Sequence, residues 1–254
     1  MLAPGTIEAF GLYVARSCAL VLSAPILGAA TRFSGYKIAL VLALSGVLYG
    51  VGGAPLAEFE PVLYAAMALR EVLIGLFLSF LLHVAMTVVR VAGQLIGQEM
   101  GFMIASQVDP ATGIQTPLIT SMYESLFTLA FLALNGHFLL LRALAASFER
   151  APVGGISFKA GLGATAGTLF SQMFEAGLVF AAPIMTLLFL VSLMIGLLSR
   201  AVPHLNILEL SFSIRILLAL LVMYAFAPLL APAMERVTND FGRALEGALQ
   251  VMGS

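Results

Sequence analysis

Six long apolar stretches constrain what this chain can fold into. A membrane-spanning helix needs about 20 mostly apolar residues in a row. The sequence offers six candidates, at residues 7–29, 36–52, 62–91, 118–146, 169–199 and 212–230. We therefore predict an all-α integral membrane protein with about six long apolar helices. Pro183 predicts a kink inside the fifth helix, and Pro228 and Pro232 are expected to end the sixth.

The composition excludes an ordinary water-soluble domain. Of the 254 residues, 61% are hydrophobic and 10% are charged, whereas soluble domains are about 45–50% apolar and about 25% charged. The surplus apolar surface must face membrane lipid or partner subunits, because a chain of this length cannot bury it alone. The net charge of −1 gives no clustered positive charge for a nucleic-acid partner.

The chain is expected to form one membrane domain over residues 1–254. Its N-terminal apolar helices cover 1–92, a glycine-rich segment covers 93–117, and later apolar helices cover 118–233. Residues 147–167, rich in Gly and Ala, indicate a loop or a weak helix. The tail at 234–254 is predicted to be an amphipathic helix, because apolar residues recur every three or four positions: Met234, Val237, Phe241, Leu245 and Leu249. It would lie at the membrane interface or dock a partner.

Charges inside apolar runs are costly and therefore informative. Arg16 lies in the first run, Arg70 and Glu71 in the third, Glu124 in the fourth and Glu175 in the fifth. Arg70 and Glu71 are adjacent, so on a helix they should point about 100° apart and not pair directly. We expect each to find a partner on another helix or subunit, in a structural pairing rather than a proton pathway.

The most unusual segment runs from residue 93 to residue 117. Gly93, Gly97 and Gly101 recur every fourth residue, which on a helix makes a groove for close helix packing. Apolar and adaptable side chains follow at Met100, Phe102 and Met103. Regular structure is then broken by four residues: Asp109, Pro110, Gly113 and Pro117. The residues alone favour an ordinary loop outside the membrane over a loop held inside an assembly.

Residues for catalysis or metal binding are not apparent. The sequence contains neither a phosphate-binding loop of the form G-x-x-x-x-G-K-[ST] nor an H-E-x-x-H zinc motif. Its three histidines, His83, His137 and His204, lie far apart, and its single cysteine is Cys18. We therefore predict a protein that is not an enzyme and that needs no cofactor and no metal.

Several segments together resemble the FliR family of flagellar biosynthesis proteins. Glu71 precedes IGLFLSF, and AGQLIGQEMGFMIASQVDPATGIQTP follows at 92–117. Similar segments also occur earlier and later in the chain: PILGAATRFSGYKIALVLAL at 25–44, LALNGHFLLLRALAASF at 132–148, and AAPIMTLLFLVSLMIGLLSRAVPHLNI at 181–207. The resemblance covers most of the chain. It departs at His204, where the family often has Gln, and at Ser211-Phe212-Ser213, where Gly-Phe-Pro is common.

The resemblance implies a subunit of the type III secretion export gate, a helical hetero-oligomeric assembly in the bacterial inner membrane at the flagellar basal body. Its partners would be FliP-like, FliQ-like and FlhB-like subunits, and unfolded export substrates would pass through its centre. The family's plug loop corresponds to about residues 100–117. Five residues would then belong to the seal of the resting pore: Met100, Gly101, Phe102, Met103 and Ile104. Asp109, Pro110 and Gly113 would shape its turn, while Gly93 and Gly97 would pack the helix before it.

Two alternatives stand beside this interpretation. One is the equivalent subunit of a virulence injectisome, although Asn135-Gly136-His137 favours the flagellar branch of the family. The other is a small-solute secondary transporter that would use buried charges such as Arg70 and Glu175.

Overall fold

The described part of the computed structural model consists almost entirely of α-helices. It covers residues 5–28, 34–53, 60–100, 118–154, 162–201 and 207–253. The helices are α1 (Thr6–Ser23), α2 (Pro25–Gly28), α3 (Ser34–Gly52), α4 (Pro61–Glu99), α5 (Leu118–Ala133), α6 (Gly136–Arg150), α7 (Leu162–Ala201) and α8 (Ile207–Gly253). These ranges contain no β-strand. The predicted all-α membrane fold is confirmed.

The number of apolar spans also agrees with the sequence. Three helices are long and apolar enough to cross a membrane, at Thr6–Ser23, Gly35–Gly52 and Pro61–Glu99. Three further pairs of helical segments meet the same criteria when each bent pair is counted as one span, which gives up to six. α4 and α7, with 39 and 40 residues, exceed the roughly 20 residues that one bilayer crossing requires.

Among the helix ends that differ from the sequence-based expectation, two have a local backbone reason. The stretch predicted at 118–146 is divided at Leu134 and Asn135, where Asn135 adopts a left-handed φ of 59°. Asn tolerates this conformation better than most residues, so it can end α5 and begin α6. The expectation that Pro228 and Pro232 end the sixth helix is wrong, because both lie inside α8. Pro228 lies at a bend between Ala225 and Leu230, where a proline kinks the helix rather than ending it.

The predicted tail helix is the C-terminal part of α8. Its five apolar positions are all buried, with exposed fractions between 0% and 7%: Met234, Val237, Phe241, Leu245 and Leu249. Glu235, Arg236, Arg243 and Glu246 are exposed. The predicted amphipathic helix is thus confirmed. The expected loop or weak helix at 147–167 is helical at both ends, since α6 extends to Arg150 and α7 begins at Leu162.

The chain divides into two compact units. The first comprises Met1–Val84, Asn135–Leu169 and Asn239–Ser254. In its core Tyr13 stacks on Phe148 with ring centroids 4.4 Å apart, and Tyr49 meets Tyr13 edge-on at 5.6 Å. Gly75 of α4 lies so close to the carbonyl oxygen of Arg16 that a side chain there would collide with backbone. α1 and α4 therefore pack closely in this unit.

The second unit comprises Ala85–Leu134 and Phe170–Thr238. Its largest fully buried side chains lie on α4 and α5 and just after α4: Ile96, Met100, Tyr123, Phe127 and Phe131. α7 approaches α4 at Gly177, where an added Cβ would lie 3.0 Å from the carbonyl oxygen of Val88. Small residues thus set the helix spacing in this unit also.

Candidate functional site

Arg16 is the centre of a buried polar cluster in the first unit. Its side chain is 0% exposed. Its Nε donates a hydrogen bond to Oε2 of Glu71 at 2.6 Å, and Nη2 forms an ion pair with the same oxygen. Nη1 donates to Oγ of Ser147 at 3.0 Å, and Nη2 to the carbonyl oxygen of Ala151 at 2.8 Å. The guanidinium also lies 4.0 Å from the ring centroid of Phe148, at cation–π distance.

Glu71 is equally buried and receives a second arginine. Nη1 of Arg70 lies 3.2 Å from Oε1 of Glu71 and also donates to the carbonyl oxygen of Pro152 at 3.0 Å. The expectation that Arg70 and Glu71 do not pair directly is therefore wrong. The angle of about 100° between adjacent helix positions separates their Cβ atoms, but the long arginine side chain spans it. Arg70 is 11% exposed, so it reaches the surface of the unit.

This Arg16 cluster suits a structural role better than proton transfer. Both carboxylate oxygens of Glu71 accept hydrogen bonds from arginine, and arginine does not give up its proton in proteins. The cluster joins α1, α4 and the C-terminal end of α6. A buried ion pair is stable only when its remaining hydrogen-bonding groups are also satisfied. Ser147 and the two carbonyl oxygens supply those partners.

The sequence identified the charges of the cluster but not its other members. Ser147, Phe148 and the carbonyl oxygen of Ala151 were not singled out. Ser147 lies 131 residues from Arg16, and no local pattern links residues so far apart. We expected each of Arg70 and Glu71 to find a partner on another helix or subunit. Glu71 does so with Arg16 of α1, whereas Arg70 binds Glu71 beside it and the carbonyl oxygen of Pro152, which lies after the end of α6.

The ion pair between Arg90 and Glu124 in the second unit is more exposed than the Arg16 cluster. Nε of Arg90 on α4 donates to Oε1 of Glu124 on α5 at 2.6 Å. Arg90 is 45% exposed and Glu124 is 25% exposed. Glu175 lies on an exposed position of α7.

The helix before the predicted plug is described as far as Met100. An added Cβ on Gly93 would lie 2.7 Å from Cα of Thr120, so α4 and α5 touch at this glycine. Gly97 is buried in the same helix. Met100 is 0% exposed, and its N–H donates to the carbonyl oxygen of Ile96 at 3.0 Å. The remaining predicted plug residues lie outside the described ranges: Gly101, Phe102, Met103, Ile104, Asp109, Pro110 and Gly113.

Within the described ranges, no group of three or more His, Cys, Asp or Glu side chains could hold a metal ion. His83 lies in α4 and His137 in α6, whereas His204 falls outside these ranges.

Comparison with known proteins shows what the chain resembles. Residues 7–241 match the bacterial export proteins, family 1. The chain is 33% identical over 228 residues to the flagellar biosynthetic protein FliR of Escherichia coli, covering 89% of this chain and 86% of that protein. It is 29% identical over 222 residues to FliR of Bacillus subtilis, covering 85% and 84%. It is also 28% identical over 167 residues to the surface presentation of antigens protein SpaR of Shigella sonnei, covering 65% and 63%.

Proposed function

Because this chain belongs to family 1 of the bacterial export proteins, as its resemblance to FliR implied, we propose that it is a subunit of the flagellar type III protein export gate. The gate is the membrane channel through which unfolded flagellar proteins leave the cell. One observation carries the proposal: the similarity to FliR of Escherichia coli extends over 89% of the chain. The similarity therefore extends over most of the apolar helices, rather than over one common motif.

The surface of the chain supports a role inside an assembly in the membrane. Large apolar side chains are exposed in both units, for example Val51 at 86%, Val62 at 78%, Leu197 at 72% and Tyr224 at 83%. Such surface requires lipid or companion subunits to cover it. We propose FliP-like and FliQ-like subunits as those companions, with an FlhB-like subunit beside them, in the bacterial inner membrane at the flagellar basal body.

The segment after α4 is proposed to plug the resting channel. Gly93 packs the preceding helix against Thr120 of α5, and Gly97 and Met100 are buried at the end of that helix. Gly101, Phe102, Met103 and Ile104 would continue the apolar seal, because such groups can repack when a substrate enters. Asp109, Pro110 and Gly113 would turn the chain back towards α5.

Deletion of residues 100–106 tests the plug. We expect the assembled gate to conduct small ions across the membrane at rest, measured as growth sensitivity to salt and as dissipation of the membrane potential. A deletion variant that assembles, secretes normally and remains ion-tight would overturn the plug assignment while leaving the export function intact.

The export function is tested in the native bacterium. Deleting the gene should abolish motility and extracellular flagellin, and a plasmid copy should restore both. Detergent extraction should recover the chain together with FliP-like and FliQ-like subunits. Normal motility in the deletion strain would contradict the flagellar role.

The similarity to SpaR supports the second candidate, an equivalent subunit of a virulence injectisome. This similarity covers 65% of the chain, against 89% for FliR of Escherichia coli, so the flagellar role is preferred. Loss of effector secretion with unchanged motility would support the injectisome. The transporter alternative is not supported, because the chain belongs to an export family and Arg70 is held by Glu71 and Pro152.

A further inference from the structure

The exposed surface of α4 changes character along the helix. From Pro61 to Phe80 the exposed large side chains are apolar: Val62, Leu69, Leu73, Leu76 and Phe80. Between Ala85 and Glu99, every side chain that the structure exposes is polar: Arg90, Gln94 and Gln98. These three residues are four positions apart, so they form one stripe on a single helix face, which we call the polar stripe. It extends along about 12 Å of helix.

The remaining surface of this part of α4 is packed inside the second unit. Val88, Val89, Ala92, Gly93 and Ile96 are all buried. Gly177 lies against the backbone of Val88, and Gly93 lies against Thr120. The polar stripe is therefore the open face of a helix whose orientation within the unit is fixed.

Lipid is an unsuitable neighbour for the polar stripe. Charged and amide side chains within membrane segments face protein or water, because hydrocarbon leaves their hydrogen-bonding groups unsatisfied. In the same unit, α5 has an exposed face that is apolar. Four exposed apolar side chains there recur every three or four residues: Met122, Leu126, Leu129 and Leu132. The unit thus has one face suited to lipid or apolar subunits and another suited to water.

The chemistry of the polar stripe fits an unfolded polypeptide in water. Each glutamine offers both donors and acceptors, which match the N–H and C=O groups of an extended backbone of any sequence. The charge of Arg90 is balanced by Glu124 at 2.6 Å, so neither acidic nor basic segments are strongly held. The stripe exposes no large apolar side chain to which a passing chain could adhere.

We propose that the polar stripe of Arg90, Gln94 and Gln98 lines the water-filled conduit and contacts the exported polypeptide. This inference rests on the proposed export function, because it assigns residues to the path of the substrate. It predicts that the stripe is wet in the assembled gate, and that a substrate in transit covers it.

Cysteine labelling in the assembled gate tests the proposal. The single native cysteine is first removed as Cys18→Ala, and Gln94→Cys and Gln98→Cys are introduced one at a time. Leu126→Cys and Leu129→Cys on α5 are the matched controls in the same unit. Membrane vesicles of both orientations, inside-out and right-side-out, that carry the whole gate are treated with a membrane-impermeant maleimide, so that the conduit is reached from each side of the proposed plug. Because maleimide reacts with the thiolate, which forms in water and not in hydrocarbon, we expect labelling at 94 and 98 to be about tenfold faster than at 126 and 129.

A second measurement uses a substrate arrested in the gate by a tightly folded C-terminal fusion. Labelling at 94 and 98 should then fall, and a photo-cross-linker at either position should capture the arrested substrate. Equal labelling at stripe and control positions, no labelling at the stripe, or unchanged labelling with an arrested substrate would each overturn the proposal. Constant cross-links to another gate subunit would show that the stripe is a subunit interface.

The two proposals can fail separately. If the Cys18→Ala chain restores motility but the stripe remains unlabelled, the conduit assignment is wrong and the export function stands. If deletion of the gene leaves flagellar secretion intact, the export function fails whatever the labelling shows.

Discussion

Two of the arginine–glutamate pairs in the described part of the chain, Arg16–Glu71 and Arg90–Glu124, have the same Nε-to-oxygen distance and opposite surroundings. Arg16 and Arg90 each place Nε 2.6 Å from a glutamate oxygen. Arg16 and Glu71 are 0% exposed, whereas Arg90 and Glu124 are 45% and 25% exposed. The first pair is enclosed by further hydrogen-bonding partners, whereas the second is partly exposed at the surface of its unit. A charge in an apolar helix can thus hold a unit together or mark where that unit faces water.

Removing one member of the buried Arg16–Glu71 pair should lower the stability of the protein most. Glu71→Leu leaves Arg16 and Arg70 without their carboxylate, and an unpaired buried charge costs about 3–5 kcal/mol. We expect the variant protein to be degraded, measured as its steady-state level in the membrane. The double variant Arg16→Met with Glu71→Leu removes the buried charge on both sides and should recover much of that level. Equal loss in both variants would contradict the assigned cause.

A larger side chain at Gly93 should cause the next largest loss of stability. Gly93→Leu places a side chain against the backbone of Thr120, and overpacking costs about 1–3 kcal/mol. The thermal unfolding temperature of the purified gate should fall. Gly196→Ala in the same unit is the control, because an added Cβ there meets nothing within 4 Å. A Gly93→Leu gate as stable as the Gly196→Ala gate would show that α4 and α5 do not need this contact.

Ser147→Ala should weaken the Arg16 cluster more modestly. It removes the acceptor of the Nη1 hydrogen bond, which is 3.0 Å long, and an unsatisfied buried donor costs about 1–3 kcal/mol. The thermal unfolding temperature of the gate should again decrease. Ser125→Ala, at an exposed position of α5, is the matched control and should change little. Equal effects would mean that Ser147 contributes no special interaction with Arg16.

Breaking the partly exposed Arg90–Glu124 pair should change the stability of the gate least. Partly exposed pairs contribute about 0–1 kcal/mol, so Glu124→Gln should leave the unfolding temperature of the gate nearly unchanged. If Arg90 faces the conduit, however, its unbalanced positive charge should slow export of basic substrates relative to acidic ones. A variant as unstable as Glu71→Leu would show that the two pairs do not differ in role.

The sequence predicted those features that depend on local composition. Six apolar stretches were recognised, because hydropathy over about 20 residues reports directly on membrane spans. The amphipathic tail followed from its periodicity. The break at Asn135 was missed, because one residue with a left-handed φ lies within an apolar run and hardly alters its hydropathy.

Features that depend on side-chain reach, helix bending or long-range contacts were less accessible. We predicted that Pro228 and Pro232 end the sixth helix, because proline interrupts an isolated helix. Instead, α8 contains both prolines and bends nearby. The pairing of Arg70 with Glu71 depends on side-chain reach. Ser147 was not recognised as a partner of Arg16, because nothing near either residue encodes that contact. The plug assignment from Gly101 to Gly113 remains a prediction.

The Arg16 cluster also has a consequence for biosynthesis. Glu71 follows Arg16 by 55 residues and Ser147 follows it by 131. At about 5–20 residues per second, the ribosome makes Glu71 about 3–11 s after Arg16, and Ser147 about 7–26 s after it. The first helix therefore emerges with a cation whose counter-charge has not yet been synthesised. Its stable placement in the bilayer must wait for α4, so the order of translation delays the maturation of the first unit.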